Sequence, residues 1–406
     1  MGDFYQNGIV TTLHNLTDRP LAELESDLMR FSKSRPMSLI LPSLYSELET
    51  HAMPLIVGHL QSVKYLSQIV IGLDMATEEQ YRNSLKFFSD LPQEHRVLWN
   101  DGPRLLALDA DLKKLGLAPK ERGKGRNVWY CMGYTLAAKK VESVALHDCD
   151  IVTYDREMLA RLIYPVANPL FNYEFCKGYY ARVANGKMNG RVSRLFITPL
   201  IRALSRVLGE SDYLHYMDSF RYPLAGEFSF RRDVLNDIRI PSDWGLEIGV
   251  LSEMHRNYAH SRLCQVDIAD SYDHKHQDIS LEDQNAGLSK MSIDIAKSLI
   301  RKLATQGTVF NQGTFRTIKA TYFRIALDFV ETYHNDALMN GLEHDIHKEE
   351  IAVEMFAENI MEAGQSFLEA PMETPFMPTW SRVASAMPDV FERLLEAVEL
   401  DNEEFR

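Results

Sequence analysis

Cysteine is scarce in this chain. Its four thiols, Cys131, Cys149, Cys176 and Cys264, stand far apart with no CxxC pair among them, which excludes a zinc ribbon or a disulfide framework and leaves reduced, buried thiols as the expectation. A basic excess is missing too. With 44 Lys and Arg against 57 Asp and Glu the formal charge is −13, so no overall field draws the chain to nucleic acid, where phosphate neutralisation needs a cationic face. Only local basic pockets remain open. No apolar run reaches the roughly 18 residues of a membrane span, and the opening Met1 to Gly8 lacks the charged and apolar segments of a secretory signal. The expectation is a cytoplasmic protein with neither a membrane nor a nucleic-acid partner. Internal repeats, a Walker A loop, the third glycine of GxGxxG, a GxSxG elbow and HExxH are absent as well.

What is present is a chain of 406 residues, 45% of them hydrophobic, enough for two or three domains and a sizeable core. Leu13, Leu16, Leu21, Leu24, Leu28 and Phe31 recur at mostly helical intervals around Asp18-Arg19-Pro20 and predict an N-terminal helical arm. Met37 to Pro42 reads as a buried first strand stopped by its proline. Glu47 to Gln61 reads as a helix that Pro54 either kinks or starts. A second strand, Ser67 to Ile71 closed by Gly72, leads to a helix from Glu78 to Phe88 and a third strand, Arg96 to Trp99, which ends at the turn Asn100-Asp101-Gly102-Pro103. After a basic loop, Glu121 to Arg126, come a helix from Val128 to Lys140 and a strand from Val141 to His147. This alternation predicts a parallel sheet flanked by helices. Thr153 to Asp278 mixes short strand-like runs such as Phe171 to Phe175 with helical ones such as Ser193 to Leu208, an α+β pattern. From Asp294 onward the period is helical, with a polar interruption near Glu369 to Pro378, and nothing in this tail names a chemistry.

Four clusters carry possible chemistry. Asp148-Cys149-Asp150 follows an apolar strand, and alternation along an extended chain lets both carboxylates face one way, at the sheet edge where α/β proteins bind ligands. Mg²⁺ takes one or two such carboxylates and fills its shell with water and phosphate oxygens. Lys124, between Gly123 and Gly125, sets a cation where the backbone can approach phosphate; the alternative is a basic surface loop. Asn189-Gly190-Arg191-Val192-Ser193 opens a helix and forms either an anion site or an N-cap beside a surface arginine. In Asp273-His274-Lys275-His276 either imidazole is a metal ligand if carboxylates converge on it. Glu343, His344, His347 and Glu350 read as a solvated helical face.

Taken in order, Ser38 to Leu44, Gly123-Lys124-Gly125, Asp148-Cys149-Asp150, Gly190-Arg191-Val192, Pro223-Leu224-Ala225-Gly226-Glu227, Gly245-Leu246-Glu247-Ile248-Gly249 and His274 resemble the glucosyl-3-phosphoglycerate synthases, which are retaining GT-A glycosyltransferases. The resemblance spans roughly residues 36 to 280. It implies an α/β GT-A (nucleotide-diphospho-sugar transferase) fold, with a mostly parallel central sheet flanked by helices and a helical C-terminal extension. The expected organisation is a helical arm over 1–35, a nucleotide-sugar-binding half over 36–155, an acceptor-binding half over 156–290 and a helical extension over 291–406 that packs on the transferase core or on a second copy of it, the family it resembles being typically dimeric.

The implied activity moves glucose from an NDP-glucose to the 2-hydroxyl of 3-phosphoglycerate with retention, giving a compatible-solute precursor. By the same resemblance Asp148, Asp150 and His274 hold Mg²⁺ or Mn²⁺, and Asp150, Glu247 and Lys124 are catalytic. Pro42, Leu44, Glu47, Lys124, Asp148, Cys149 and Leu224 bind the nucleotide sugar, and Arg191, Ser193, Ala225, Gly226 and His276 bind the acceptor. The chain departs from the family in two places: Tyr45-Ser46-Glu47 stands for the usual Asn-Glu-Glu, and Leu73-Asp74-Met75-Ala76 for Asp-Ser-Gly-Ser. Those segments hold the nucleoside, so the base stays open. Alternatives are a mannosyl donor, free glycerate as acceptor, or a catalytically silent nucleotide-sugar-binding protein.

Overall fold

The computed structural model of the chain describes residues 6, 8–17, 19–273, 287–372 and 376–406. An edge strand, β1 (Thr11–Leu13), precedes helix α1 (Leu21–Phe31), whose Leu24, Leu28 and Phe31 are buried at helical spacing. This corrects the expected helix from Leu13. Pro20, which lacks an amide hydrogen, stands just before the first turn, whereas Leu13 lies in parallel register with Val266.

Strand β2 (Met37–Leu44) runs through Pro42 instead of stopping there. Its neighbour on one side ends at Leu146, opposite Ile40, so the proline falls where β2 has a partner on one side only. A 3₁₀ turn (Tyr45–Glu49) leads into α2 (Ala52–Leu60), which holds Pro54 in its first turn, so Pro54 marks the helix start. Strand β3 (Leu66–Asp74) likewise continues through Gly72, where a Cβ would lie 1.7 Å from Asn127 Oδ1. Glycine there admits the Asn127 amide, which donates to Gly72 O at 2.9 Å. Then come α3 (Glu78–Phe88), at its expected bounds, β4 (Glu94–Trp99), and α4 (Pro103–Lys114), a helix the sequence reading passed over although Leu105, Leu108 and Leu112 have its spacing. Helix α5 (Lys124–Ala138) starts inside the expected basic loop, and β5 (Ser143–Leu146) and α6 (Arg156–Ala167) follow.

Strand β6 (Phe175–Tyr180) begins where the expected strand ended, and a small hairpin, β7 (Val183–Ala184) with β8 (Lys187–Met188), turns on Asn185 and Gly186, both at positive φ. A π-helical turn (Val192–Ile197) runs into α7 (Thr198–Leu208). Next are α8 (Asp212–Asp218), β9 (Phe228–Arg231), α9 (Val234–Asp237), α10 (Leu246–Asn257) and β10 (Leu263–Ala269). The C-terminal helices are α11 (Gly287–Thr305), α12 (Gln312–Met339), α13 (Ile346–Glu369), α14 (Trp380–Ala386) and α15 (Val390–Glu404).

The main sheet has the order β1-β10-β6-β9-β5-β2-β3-β4, with β9 antiparallel to both neighbours and every other pairing parallel. Alternation along β2 sends Met37, Leu39 and Leu41 into the layer of α1, α2, α3 and α6, and Ile40 into the opposite layer of α5, α7 and the C-terminal helices. The sheet is thus buried on both faces, as parallel sheets require. No described helix is long and apolar enough to cross a membrane. One reading fails in part in the tail: Glu343 and His347 are exposed as expected, but Glu343 and His344 precede α13 and the His344 ring is buried against Glu349.

Candidate active site

The C-terminal ends of β2, β3 and β5 open onto a cavity of about 660 Å³. Asp148 and Asp150 follow directly on β5, and both line it. Gly226 makes Asp148 possible: a Cβ at that position would lie 2.2 Å from Asp148 Oδ2. Lys124 is the first residue of α5, preceded by Gly123 at φ +152°, and a Cβ on the next glycine, Gly125, would meet Pro241 O at 2.1 Å. Backbone packing therefore draws the start of α5 towards the start of α10. Lys124 Nζ lies 2.6 Å from Asp148 Oδ1 and 3.1 Å from Glu247 Oε1 in the first turn of α10.

The carboxylates crowd one another. Burial, then Asp148 and Glu47, push Asp150 up to about 7, and burial also raises Glu47, with Asp148 adding to the effect. Glu227, fully buried, is pushed up to about 7 by burial and by Asp148, and takes the hydroxyls of Tyr180 and Tyr272 at 2.8 Å each. Burial works against the charge of Lys124, yet Asp148 and Glu247 hold the ammonium well above the ordinary lysine range. Such a cluster suits a divalent cation: Asp148 and Asp150 present hard oxygen donors, the set preferred by Mg²⁺ or Mn²⁺, and the ion would relieve their mutual repulsion. Among the described residues no group of three His, Cys, Asp or Glu converges in ligating geometry. The expected third ligand, His274, and the expected acceptor ligand, His276, lie outside the described residues. Asp273, just before them, is fastened beside the aspartate pair, its carbonyl taking Val152 N at 2.9 Å and its amide donating to Thr153 Oγ1 at 3.1 Å.

Another part of the lining is cationic, with Arg182 and Arg191. Gly190, at φ +76°, turns the chain into Arg191 and the π-helical turn, where Ser193 Oγ is buried without a hydrogen-bond partner. Arg182, just beyond β6, has a buried Nε that makes no hydrogen bond, and it joins Tyr222 on the same wall.

Three comparisons bear on this site. The glucosyl-3-phosphoglycerate synthase of Persephonella marina is 48% identical over 402 residues, covering 99% of this chain and 99% of that one. This chain belongs to the glucosyl-3-phosphoglycerate synthase family. The synthase of Methanococcoides burtonii is 41% identical, again over 99% of both chains. The crystal structure of glucosyl-3-phosphoglycerate synthase from Mycobacterium tuberculosis with Mn²⁺, UDP-glucose and phosphoglyceric acid aligns with a TM-score of 0.52 at 18% identity, over 73% of this chain and 88% of that one, which shows the shared GT-A fold. No family model matches the chain. The protein is a glycosyltransferase, and its kinship extends well past the 36–280 span of the motifs, into the C-terminal helices.

In this synthase-family chain the cavity gathers Pro42, Leu44 and Glu47 from β2 and its following turn, Lys124 from α5, and Asp148, Cys149 and Asp150 from the end of β5. Arg191, Ser193, Leu224, Gly226 and Glu247 complete the expected set that it collects. Cys149 reaches the cavity while almost wholly buried, and burial pushes its thiol up. Ala225 is the exception. It is fully buried and absent from the wall, its carbonyl accepting the Lys177 ammonium from β6. Burial brings that ammonium down to about 8. The sequence reading missed Arg182, Tyr222, Trp244 and Lys290, which also line the cavity. Glu227 closes the Pro223-Leu224-Ala225-Gly226-Glu227 motif, which by itself gives that carboxylate no role. Arg182 carries no local signal, since only the meeting of β6 with the Gly190 turn brings it to the wall.

Proposed function

We propose that this chain transfers glucose from an NDP-glucose to the 2-hydroxyl of 3-phosphoglycerate with retention at the anomeric carbon, giving a compatible-solute precursor. The observation that carries the reading is Lys124 held between Asp148 and Glu247 in a cavity that Arg191 and Ser193 also line. Residues 36–155 then serve the donor, and residues 156–290, with the turn that carries Arg191 and Ser193, serve the acceptor. Asp148 and Asp150, together with His274, would hold Mg²⁺ or Mn²⁺, which supplies charge neutralisation at the departing diphosphate. Lys124 adds a fixed positive charge on the same side, worth more in the transition state, where the leaving group's charge grows, than in the ground state. Arg191 and the hydroxyl of Ser193 receive the anionic acceptor inside a protein of net negative charge. Glu247 borders the sugar. Its pairing with Lys124 at 3.1 Å blunts it as a nucleophile, which favours front-face attack, the acceptor proton passing to the departing phosphate oxygen. A homodimer is part of the reading and is measured by sedimentation.

The test is a full-length incubation with UDP-, GDP- or ADP-glucose or GDP-mannose, each with 3-phosphoglycerate or glycerate, with and without Mg²⁺. The expected product has the mass of glucosyl-3-phosphoglycerate, forms only with metal, and keeps the donor's anomeric configuration by NMR. Asp150→Asn should lower turnover roughly 10²–10³-fold without lowering the melting temperature, since it removes one charge from a crowded cluster. Product from glycerate alone, or undiminished turnover in Asp150→Asn, overturns the reading.

A further inference from the structure

The acceptor wall is fastened from outside, by helices for which neither the motifs nor the pocket chemistry supply a role. Arg194 follows Ser193 on the π-helical turn and is nearly buried. Its Nε donates to Asn189 O at 2.9 Å and its Nη2 to Met188 O at 3.4 Å, in the two residues that lead into Gly190 and Arg191. Its Nη1 and Nη2 reach Glu349 of α13 at 3.2 and 2.6 Å, and with the two backbone bonds this fork leaves one of the five guanidinium N–H groups over. Glu349 is itself buried and takes His344 Nε2 at 2.8 Å, and the Tyr333 ring of α12 lies 4.7 Å from Arg194 Cζ. The same tail grips the neighbouring hairpin, Glu343 N donating to Gly186 O at 2.7 Å.

We infer that Arg194 and Glu349 are positioning residues for the acceptor: through them the α12–α13 pair fixes the backbone that presents Arg191 and Ser193. This rests on the reading of Arg191 and Ser193 as the acceptor site. A buried ion pair contributes little net stability because desolvation offsets its Coulomb attraction, so a tie of this completeness acts through geometry. The π-helical turn adds a second mark, since such insertions interrupt the regular ladder and gather at functional sites.

The double variant Arg194→Met/Glu349→Leu replaces the pair with apolar side chains and is expected to keep the melting temperature near that of the parent. It cuts the ties to Met188 and Asn189. Its KM for 3-phosphoglycerate should rise roughly tenfold while its KM for the nucleotide sugar stays unchanged. Glu349→Gln, which keeps an acceptor for Arg194 but not the charge, should shift the same constant less, and it carries the test if the double variant fails to fold. Equal shifts in both KM values, or a fall in melting temperature with both unchanged, overturn the inference. Arg191→Ala separates the two levels. If it leaves the acceptor KM unchanged, the acceptor-site reading falls and takes the inference with it; if it raises that KM and the Arg194 and Glu349 variants do not, the inference alone falls.

Discussion

The C-terminal helices brace the two walls of the cavity by different physics. Against α5, whose first residue is Lys124, Trp380 stacks on Trp129 with ring centroids 4.1 Å apart, donates to Trp129 O at 3.0 Å, and lies over Gly133, where a Cβ would approach Trp380 to 2.1 Å. Against the turn that carries Arg191, the contact is the ion pair of Arg194 with Glu349. The first brace works by area: two buried indoles stabilise the fold in proportion to the apolar surface they remove from water, whatever their fine orientation. The second is nearly neutral in net stability but fixed in direction, because a guanidinium fork meets a carboxylate in few geometries. Stability and orientation are thus supplied by separate parts of one tail.

That contrast can be broken in order of size. Trp380→Ala should cost about 3–5 kcal/mol, read as a lower melting temperature and denaturation midpoint; an unchanged midpoint would show that the apolar brace holds nothing. Gly133→Ala pushes a methyl into the same indole from the α5 side and should cost about 1–3 kcal/mol, with the KM for 3-phosphoglycerate unaffected. A change confined to that KM would erase the division between the two braces. Smallest of the three is Glu399→Gln on α15. It weakens a half-exposed pair with Arg96 and the hydrogen bond from Tyr134, and none of the three lines the cavity. The expected loss is under about 1 kcal/mol by thermal melt, with both KM values unchanged. A rise in acceptor KM here would mean that any charge on the tail, and not Arg194 with Glu349, tunes the site.

Much of the Lys124 and Asp148 side of the cavity was legible in the sequence because its signals are local. Apolar runs of strand length separated by helical periods placed β2 to β5 and α3, and the aspartate pair sits at the end of one of those strands. Gly123, Lys124 and Gly125 also stood out, although the segment proved to be the start of a helix, with Lys124 brought to Asp148 across the sheet edge. The failures share one cause. Gly72 reads as a strand stop until Asn127 arrives from α5 to fill the space a side chain would need. β1 reads as helix because its partner, β10, lies far along the chain. His344 reads as solvated because its partner Glu349 is in turn occupied by Arg194, 155 residues from that carboxylate in the chain.

The order of residues alone determined the sheet's parallel core, the acidic pair at its edge and the family kinship, since each depends on neighbours a few positions apart. Only the folded chain decided that Ala225 lies beneath the wall and Arg182 on it, that Gly226 makes space for Asp148, and that the tail reaches both walls. Those outcomes depend on which distant side chains compete for the same volume and charge, a property of the packed molecule.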